Sequence, residues 1–393
     1  MSSNNDPPHT GVPTKLMFVI DTLEIGGTEQ SLLQLVGQLG TQRFDCTVVS
    51  LYPGDHLANP LKEAGAEVLE LKLRGKYAFG QGIRQLSKLI KHRSPDLVHT
   101  MLFRANQIGR TAGWLCGVPV VSSFVNVPYD KSRRETDPSI KAWKLRCLQT
   151  LDVFTSRWVV KFHSVSETAK EVNCRDLRVP TSKVTVVPRG RDTARYERQR
   201  PLPNESSKRF RVLNVGRLIA QKGQLNLIDA FQIAFQDVPE VELAIAGDGP
   251  LMEALQRHAN DLQLGDRVAI LGRRNDVPDL LTQADIFAFP SHYEGLPGSL
   301  IEAMLAGLPI VASDIPQIRE LIEHEKTGLI VPGSDAAALA NGLARLFQDR
   351  ELAARLGAAA RASALSRFNL RTVTEQMESF YCDIIARTDF VRT

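Results

Sequence analysis

Short apolar runs rich in Val, Ile and Leu alternate with longer amphipathic segments along almost the whole chain. Apolar runs bounded by Gly or Pro and separated by helix-period segments are typical of parallel β-sheets covered by helices on both faces. Seven such runs precede residue 190 and six follow residue 209: KLMFVI, DCTVVSL, AEVLEL, DLVHTM, VPVVSSF, RWVVKF and KVTVVP, then RVLNVG, VELAIAG, RVAILG, DIFAFP, PIVAS and GLIVP. The pattern predicts an α/β protein with two Rossmann-like domains.

Breaks in this pattern indicate where the domains begin and end. The first residues, MSSNNDPPHTGVP, are polar and Pro-rich, which is typical of a disordered tail. In RQRPLPNESSKRF, Pro, Ser, Asn and charge replace any hydrophobic period, which indicates a linker. The sequence therefore predicts a tail over 1–13, a first domain over 14–196, a linker over 197–209, a second domain over 210–369, and a helix within 370–393 that crosses back to the first domain.

Composition narrows the class of protein. Hydrophobic residues make up 43% of the chain and charged residues 23%, as in ordinary globular proteins. No stretch approaches eighteen uninterrupted apolar residues, so we expect no membrane span and a cytoplasmic protein. The five cysteines are scattered and the histidines are not clustered, which disfavours a zinc site and a disulfide framework. Since no D-x-D triplet occurs either, we expect neither a metal nor another cofactor.

Charge is distributed unevenly between the two halves. Residues 1–200 contain 29 Lys and Arg against 19 Asp and Glu, whereas residues 201–393 contain 19 against 25. Two basic segments, 72–93 and 129–151, also carry aromatic and leucine residues, a composition suited to anionic lipid headgroups. We expect a peripheral association with the inner face of the membrane; the alternative is a solvated basic surface. No nucleic-acid recognition motif is present, so nucleic acid is not an expected partner.

The segment EGLPGSLIEAMLAGLPIVAS, residues 294–313, carries the strongest indication of chemistry. Glu294 and Glu302 lie eight positions apart, with a Pro-Gly turn between them and a helical stretch after it. The turn exposes the backbone N–H groups of Gly298, Ser299 and Leu300 at a helix N-terminus, where a diphosphate binds well. Either glutamate alone would be interpreted as a solvated residue, but together with the turn they favour a nucleotide site, with Glu302 near a ribose diol.

Residues 212–231, VLNVGRLIAQKGQLNLIDAF, form a second candidate binding segment. A predicted strand ends at Gly216, and Arg217 and Lys222 follow in the loop before a helix. Two cations at the carboxyl edge of a parallel strand suit a pyrophosphate, because ligands bind at that edge. The alternative is a pair of surface charges at a loop.

Two glycine turns mark comparable strand–turn–helix units, one in each predicted domain. Gly247 lies in LAIAGDGPLMEAL, and Gly26 and Gly27 lie in the early GGTE sequence. Such turns let the backbone approach a ligand closely. The early turn is not G-x-G-x-x-G and no acidic residue ends the second predicted strand, so NAD binding is not expected.

Taken in order, these motifs resemble those of the family 4 retaining glycosyltransferases of GT-B fold, over nearly the whole chain. The matching features are GGTE, the G-R-x4-K-G loop, the GDGP turn, the E-x7-E segment and the late TGLIVP. The resemblance implies two Rossmann-like domains facing a central cleft, and transfer of a sugar from a nucleotide-diphosphate donor without a metal. It implies catalytic roles for Glu294, Arg217 and Lys222, and donor binding by these three with Gly26, Gly27, Gly216, Gly247, Arg273, Gly298, Ser299, Leu300 and Glu302.

The chain departs from the family on the acceptor side. Many members carry a histidine just after the strand that here is VPVVSSF, where this chain has Val125 and Asn126. His99 on the preceding strand is interpreted as structural, and Arg104 and Asn126 are the polar candidates for the acceptor side. The expected acceptor is a lipid-linked saccharide, as in the synthesis of a surface polysaccharide or glycolipid. The alternatives are a non-catalytic nucleotide-sugar-binding subunit and another GT-B enzyme, an epimerase or a phosphorylase.

Overall fold

The computed structural model of the chain describes residues 12–75, 78–130, 141–197 and 209–392, with side chains up to residue 387. Most of the predicted tail (1–13) and linker (197–209) therefore lie outside the described residues, as do Tyr77 and residues 131–140 of the predicted basic segments. Within the described residues, thirteen strands form two parallel sheets, one of seven strands and one of six. All thirteen strands overlap the apolar runs that the sequence analysis identified.

The first sheet has the strand order β3-β2-β1-β4-β5-β6-β7, with every pairing parallel. Its central strands are buried on both faces, which is why they have apolar runs without a polar alternation. The strands of this sheet are β1 (Thr14–Ile20), β2 (Phe44–Ser50), β3 (Glu67–Glu70), β4 (Leu97–Met101), β5 (Val120–Phe124), β6 (Lys161–Ser164) and β7 (Val184–Val186).

Helices cover both faces of this sheet. The helices between its strands are α1 (Gly27–Gln38), α2 (Ala58–Glu63), α3 (Phe79–Arg93), α4 (Phe103–Cys116), α5 (Ala142–Thr155) and α6 (Glu167–Leu177). Along β1, Leu16, Phe18 and Ile20 point into a core shared with α1 and α2. Met17 and Val19 point into the opposite core, shared with α3 and α4. This period of two fixes which helices lie on which side.

The second sheet has the order β10-β9-β8-β11-β12-β13, again with parallel pairing. Its strands are β8 (Phe210–Val215), β9 (Val241–Ala246), β10 (Val268–Gly272), β11 (Ile286–Phe289), β12 (Ile310–Ser313) and β13 (Leu329–Val331). Its helices are α7 (Gln224–Phe235), α8 (Met252–Asp261), α9 (Val277–Gln283), α10 (Gly298–Leu305), α11 (Pro316–Arg319), α12 (Ala336–Gln348) and α13 (Arg350–Arg367). Two apolar cores lie on its two faces.

The last helix, α14 (Leu370–Arg392), joins the core of the first sheet. Val373, Met377, Phe380 and Tyr381 are buried there beside residues of β1 and α1. The chain thus passes from the first sheet to the second after β7 and returns before α14. The two passages meet, because the Arg191 N–H donates to the Phe368 carbonyl oxygen at 2.8 Å.

None of the helices in the described part of the chain is long and apolar enough to cross a bilayer. The candidate motifs lie in loops, and in the helices that follow them. In both sheets these loops begin at the carboxyl ends of the strands. Because ligands of parallel α/β sheets bind at these ends, the two carboxyl edges are where a site is expected.

Candidate functional site

Two loops of the second domain meet at an ion pair between Lys222 and Glu294. The Lys222 Nζ atom lies 2.5 Å from Glu294 Oε1 and 5.4 Å from the centre of the Phe289 ring. Lys222 ends a single 3₁₀ turn, and Gly223 then adopts φ 64° with its α-carbon against the Pro290 carbonyl, where a side chain would clash. The two predicted motifs, from the loops after β8 and β11, are thus held together at the carboxyl edge of the sheet.

A close contact between two backbone turns shapes the same edge. Gly247 follows β9 with φ 154°, and a Cβ atom on it would overlap the Gly216 carbonyl oxygen. Gly216 in turn lies under the aliphatic stem of Lys222. The loop after β8 therefore keeps its position because the loop after β9 has no side chain at this point.

The N-terminus of α10 lies next to this ion pair in the sequence and carries the predicted amide groups. Gly298, Ser299 and Leu300 form its first turn, and the N-cap residue Pro297 makes no side-chain cap hydrogen bond. Four N–H groups at a helix N-terminus have no partner within the helix, and the helix dipole favours an anion there. This turn is suited to binding a phosphate.

Arg191, from the passage between the domains, pairs with Glu302. Its Nε atom lies 2.8 Å from Glu302 Oε1, and its Nη1 atom donates to the carbonyl oxygen of Gly190 at 2.9 Å. The arginine is almost fully buried, and Gly298 leaves room for its Nη2 atom. The glutamate that the sequence analysis placed at a ribose is therefore oriented by a cation of the first half of the chain.

The glycine turn of the first domain opens α1, and Glu29 folds back over it. Gly26 is the N-cap residue and Gly27 the first residue of α1, and the Glu29 carboxylate occupies the space where a Gly26 side chain would lie. Burial raises the pKa of Glu29, while Arg189 and Arg217 act to lower it. Arg217 is exposed at the other side of the cleft and lies within electrostatic reach of this carboxylate.

The two domains are in contact around the cleft. The carbonyl oxygen of Gly295 accepts a hydrogen bond from Ser166 Oγ at 3.2 Å. The Glu320 carboxylate accepts from the backbone N–H groups of Glu167 and Thr168 at 2.8 and 3.0 Å, at the start of α6. An acid of the second domain thereby stabilises the N-terminus of a first-domain helix.

Arg273, predicted to bind the donor, contacts the first domain instead of another donor-site candidate. Its Nη1 atom lies 4.0 Å from Glu24 Oε2 in the loop after β1. Both side chains are partly exposed, so the contact itself contributes little to stability.

The acceptor-side candidates lie at the carboxyl edge of the first sheet. Arg104, the second residue of α4, lies 3.8 Å from Asp21 and above the Tyr52 ring at 5.2 Å. Burial raises the pKa of Asp21 to about 6. Asn126 lies against Gly295, and its carbonyl oxygen accepts from Asn173 Nδ2 at 2.9 Å. Asn126 therefore reaches the second domain, whereas Arg104 does not contact the donor-site candidates in the described residues.

His99 is buried within a chain of hydrogen bonds. Its Nδ1 atom lies 2.8 Å from the Tyr381 hydroxyl and its Nε2 atom 2.6 Å from Ser123 Oγ, which contacts His163 Nδ1 at 2.8 Å. This geometry ties α14 to strands β4, β5 and β6. Among the described residues, no group of three His, Cys, Asp or Glu side chains is arranged to hold a metal ion.

The sequence analysis missed Arg189 and Arg191. Both follow the apolar run KVTVVP, in PRGRD, and so leave the carboxyl end of a strand as Arg217 does. The rule that singled out Arg217 and Lys222 applies to them equally. What the sequence did not indicate is that this loop passes between the domains and reaches the second one.

Comparisons with known proteins agree with this architecture. A family model described as Glycosyltransferase Family 4 matches residues 25–195, and one described as Glycosyl transferases group 1 matches residues 196–363. A UDP-Gal:alpha-D-GlcNAc-diphosphoundecaprenol alpha-1,3-galactosyltransferase of Escherichia coli is 28% identical over an alignment of 314 residues, with 76% of this chain and 78% of that protein covered. A GDP-mannose-dependent alpha-(1-6)-phosphatidylinositol monomannoside mannosyltransferase of Mycobacterium tuberculosis is 31% identical over an alignment of 216 residues, with 51% of this chain and 56% of that protein covered.

Solved structures share the fold at low sequence identity. Anabaena HepE in complex with UDP and glucose has a TM-score of 0.80 at 22% identity, with 94% of this chain and 99% of that chain covered. Sucrose-phosphate synthase of Thermosynechococcus elongatus has a TM-score of 0.79 at 19% identity, with 95% and 100% covered. Two parallel-sheet domains of GT-B fold, matched in turn by two glycosyltransferase models that together span most of the chain, show that this protein is a glycosyltransferase and belongs to glycosyltransferase family 4.

Proposed function

We propose that this glycosyltransferase moves a hexose or N-acetylhexosamine from a nucleotide-diphosphate sugar to a lipid-linked saccharide, with retention of anomeric configuration and without a metal. The observation that carries the donor part is the Lys222–Glu294 ion pair beside the uncapped N-terminus of α10. A cation, a carboxylate and an amide-rich turn then surround one place at the carboxyl edge of the second sheet, which suits a diphosphate with a sugar attached.

The charges at this place match the demand of the reaction. As the bond to the nucleotide diphosphate breaks, negative charge develops on the leaving group and positive charge on the sugar. Arg217, Lys222 and the first turn of α10 would stabilise the leaving diphosphate, the preorganised electrostatic effect that usually dominates catalysis. Glu294 would orient the transferred sugar through Oε2, since Lys222 binds Oε1.

Glu302 would hold the ribose of the donor. Arg191 binds its Oε1 atom, which fixes the side chain and leaves Oε2 for a diol. The Gly272–Arg273 segment would lie near the base, and the turn at Gly26 and Gly27 near the reacting centre. The contacts between the domains support a closed arrangement in which water is excluded from the donor.

The acceptor part is supported by the names of the relatives and by a surface of the first domain. The E. coli relative acts on a diphosphoundecaprenol-linked GlcNAc and the mycobacterial one on a phosphatidylinositol mannoside. The exposed face of α5 presents Trp143 and Phe154, which are 65% and 52% exposed, about three helical turns apart. Next to Phe154, the Trp158 ring stacks on that of Trp114 with centroids 4.7 Å apart.

The charged residues around these rings are basic. Lys144, Arg146 and Arg157 are exposed on or just after α5, and the acid of this helix, Asp152, is buried against Arg110. Helix α3, from the other basic segment, lies on the same face of the first sheet, with α4 between the two. Exposed aromatic side chains with Lys and Arg around them suit the headgroup region of an anionic membrane. A lipid-linked acceptor would be presented there.

A ligand screen followed by a transfer assay tests the proposal. UDP, GDP, ADP and the corresponding nucleotide sugars are compared by thermal shift. A ligand that binds only the folded state raises the melting temperature of the protein. We expect one nucleotide class to stabilise the protein and its radiolabelled sugar to move onto a diphospholipid-linked GlcNAc. Failure of every nucleotide to stabilise the protein would overturn the donor part. Formation of an epimer without acceptor, or of a sugar phosphate with inorganic phosphate, would overturn transfer in favour of an epimerase or a phosphorylase.

A further inference from the structure

A buried arginine, Arg189, lies at the junction of the two domains. It follows β7 and is only 9% exposed. Its Nη2 atom contacts Thr28 Oγ1 and the carbonyl oxygen of Val125, each at 3.4 Å. Its Nη1 atom lies against Gly27, 2.9 Å from where a Cβ atom on that residue would be. The guanidinium group therefore faces the glycine turn that opens α1 and the end of β5.

This cation has no acid partner in the described part of the chain. No carboxylate there lies within 4.0 Å of Arg189, and both of its hydrogen bonds are long. The other two buried arginines among the described residues are paired: Arg110 with Asp152 at 2.5 Å and Arg191 with Glu302 at 2.8 Å. An unpaired buried charge is costly, so a protein that keeps one is expected to bind a counter-charge there.

The surroundings of Arg189 keep the guanidinium group charged. Burial, followed by the nearby Arg191, lowers the pKa of Arg189 to about 10, while Glu29, Glu294 and Glu302 act to raise it. The side chain is therefore a cation at neutral pH. Glu294 and Glu302 are already held by Lys222 and Arg191, and the N-terminus of α1 adds further positive potential beside Gly27.

We propose that Arg189 binds a phosphate oxyanion of the substrates from the first-domain side of the cleft. This inference rests on the function proposed above. The oxyanion has two sources of the same chemistry: the diphosphate of the donor, or the phosphate next to the saccharide of a lipid-linked acceptor. A guanidinium group suits either, because its planar N–H groups pair with phosphate oxygens in a fixed geometry.

The Arg189 side chain also lies close to the second domain. Its guanidinium group contacts the carbonyl oxygen of Val125, just after β5. Gly295 of the second domain touches the same carbonyl group. The first domain thus places a fixed cation beside the loop that carries Glu294.

The test compares Arg189→Gln and Arg189→Lys with the wild type and with Arg195→Gln, an exposed arginine of the same passage. Calorimetry measures the Kd of the nucleoside diphosphate that the wild type binds. Kinetics measure KM for diphospholipid-linked GlcNAc and for octyl GlcNAc, which has the same sugar and no phosphate. We expect Arg189→Lys to be intermediate and Arg195→Gln to match the wild type.

The two sources give different results. If Arg189 binds the donor, the Kd of the nucleoside diphosphate rises about 10- to 100-fold in Arg189→Gln without any acceptor present. If it binds the acceptor, that Kd is unchanged, and the KM rises by a similar factor for the diphospholipid-linked acceptor but not for octyl GlcNAc. Arg189→Gln with both Kd and KM within twofold of the wild type would overturn the inference.

Stability separates binding from a structural role. Since Arg189 is an unpaired buried charge, Arg189→Gln should leave the melting temperature of the ligand-free protein unchanged or raise it. A lower melting temperature together with equal losses on both acceptors would show a structural role and overturn the inference. A wild type that neither binds a nucleoside diphosphate nor transfers sugar would instead overturn the proposed function itself, and this inference with it.

Discussion

At the scale of single residues, the Lys222–Glu294 pair makes the sharpest prediction. Lys222→Met removes a cation from the place proposed for the leaving diphosphate, and kcat/KM should fall about 100-fold or more, as when one preorganised donor to a developing anion is lost. Lys222→Arg should retain part of the activity because it retains the charge. The matched control is Lys326→Met, which breaks the exposed pair with Glu323 and should change kcat/KM less than twofold.

Loss of fold is distinguished from loss of catalysis by a double variant. Lys222→Met leaves Glu294, which is 7% exposed, without its cation, so the melting temperature should fall. Lys222→Met with Glu294→Gln removes the unpaired charge and should recover most of the melting temperature without recovering activity. Activity of Lys222→Met within threefold of the wild type would contradict the role proposed for the lysine.

The candidate residues could be found from the sequence to different degrees. The sequence indicates four residues as candidates because of their spacing and their position beside predicted strands: Glu294, Glu302, Arg217 and Lys222. Their partners were not predictable in the same way: the cation that holds Glu302 is Arg191, 111 positions away along the chain. Such a pairing depends on the relative position of the two domains. A local sequence pattern does not indicate that position.

At the scale of elements, the turn after β9 supports the turn after β8. Gly247→Ala puts a methyl group against the Gly216 carbonyl oxygen at a φ of 154°. The backbone conformation alone should cost about 1–3 kcal/mol of folding free energy, and the overlap should displace the segment that carries Arg217. We expect a lower denaturation midpoint and a weaker affinity for the nucleoside diphosphate, measured by urea unfolding and calorimetry.

Gly333→Ala is the control for this substitution. Its Cβ atom would have no neighbour within 4 Å and its backbone is not in the left-handed region, so stability should change by less than about 0.5 kcal/mol. If both variants had the same denaturation midpoint and the same affinity for the nucleoside diphosphate, the turn after β9 would not position the turn after β8.

Strands β4 to β6 and α14 are tied by a histidine network that predicts acid sensitivity. Burial lowers the pKa of His163 from 6.5 to about 4, and burial also lowers the pKa of His99. Between pH 6.5 and pH 4, His163 therefore binds a proton more readily in the unfolded chain than in the folded one. The stability that neutral His163 provides is thus complete above pH 6.5 and is lost as the pH falls toward 4, about 2 kcal/mol of it between pH 7 and pH 5.

The measurement compares urea unfolding at pH 7 and pH 5 in the wild type and in His163→Gln. The wild type should lose about 2 kcal/mol more than the variant over this interval. Asp21 acts in the opposite sense, because its pKa is raised to about 6 and the stability it provides fades as the pH rises from 3.8 to 6. Asp21→Asn should therefore increase the loss of folding stability between pH 7 and pH 5. Parallel pH profiles of the wild type and His163→Gln would contradict the buried neutral histidine.

Strands were easier to predict than the segments between them. A strand buried on both faces needs an uninterrupted apolar run. The sequence therefore predicts β1, β9 and β11 directly. The sequence also indicated that α14 lacks a strand of its own to cover. It did not indicate the chain of contacts from Tyr381 through His99 and Ser123, because a buried polar network has no period along the chain.

At the scale of the whole molecule, contacts between the domains involve charged groups from both halves. Arg191 reaches Glu302, and Glu320 reaches the start of α6. Our proposal places the donor and acceptor sites on opposite domains, which such contacts would bring together. In this proposal, the helical layer of α3, α4 and α5 is the surface that meets the membrane presenting the acceptor. The net positive charge of residues 1–200 is consistent with an anionic surface as the partner of this layer.

The last prediction concerns this layer and lipid vesicles. The double variant Trp143→Ser, Phe154→Ser removes two exposed rings of α5 and should reduce flotation with phosphatidylglycerol vesicles at least fivefold. The control Ile233→Ser removes an apolar side chain of the second domain that is 54% exposed, and should float as the wild type does. Raising the salt concentration to 1 M should release the wild type, because screening weakens the attraction of Lys144, Arg146 and Arg157 to the headgroups. Activity on octyl GlcNAc should be the same in all three proteins, since it needs no membrane. Equal recovery of the wild type with phosphatidylcholine and phosphatidylglycerol vesicles would contradict an anionic membrane as the partner, whatever the outcome at the donor site.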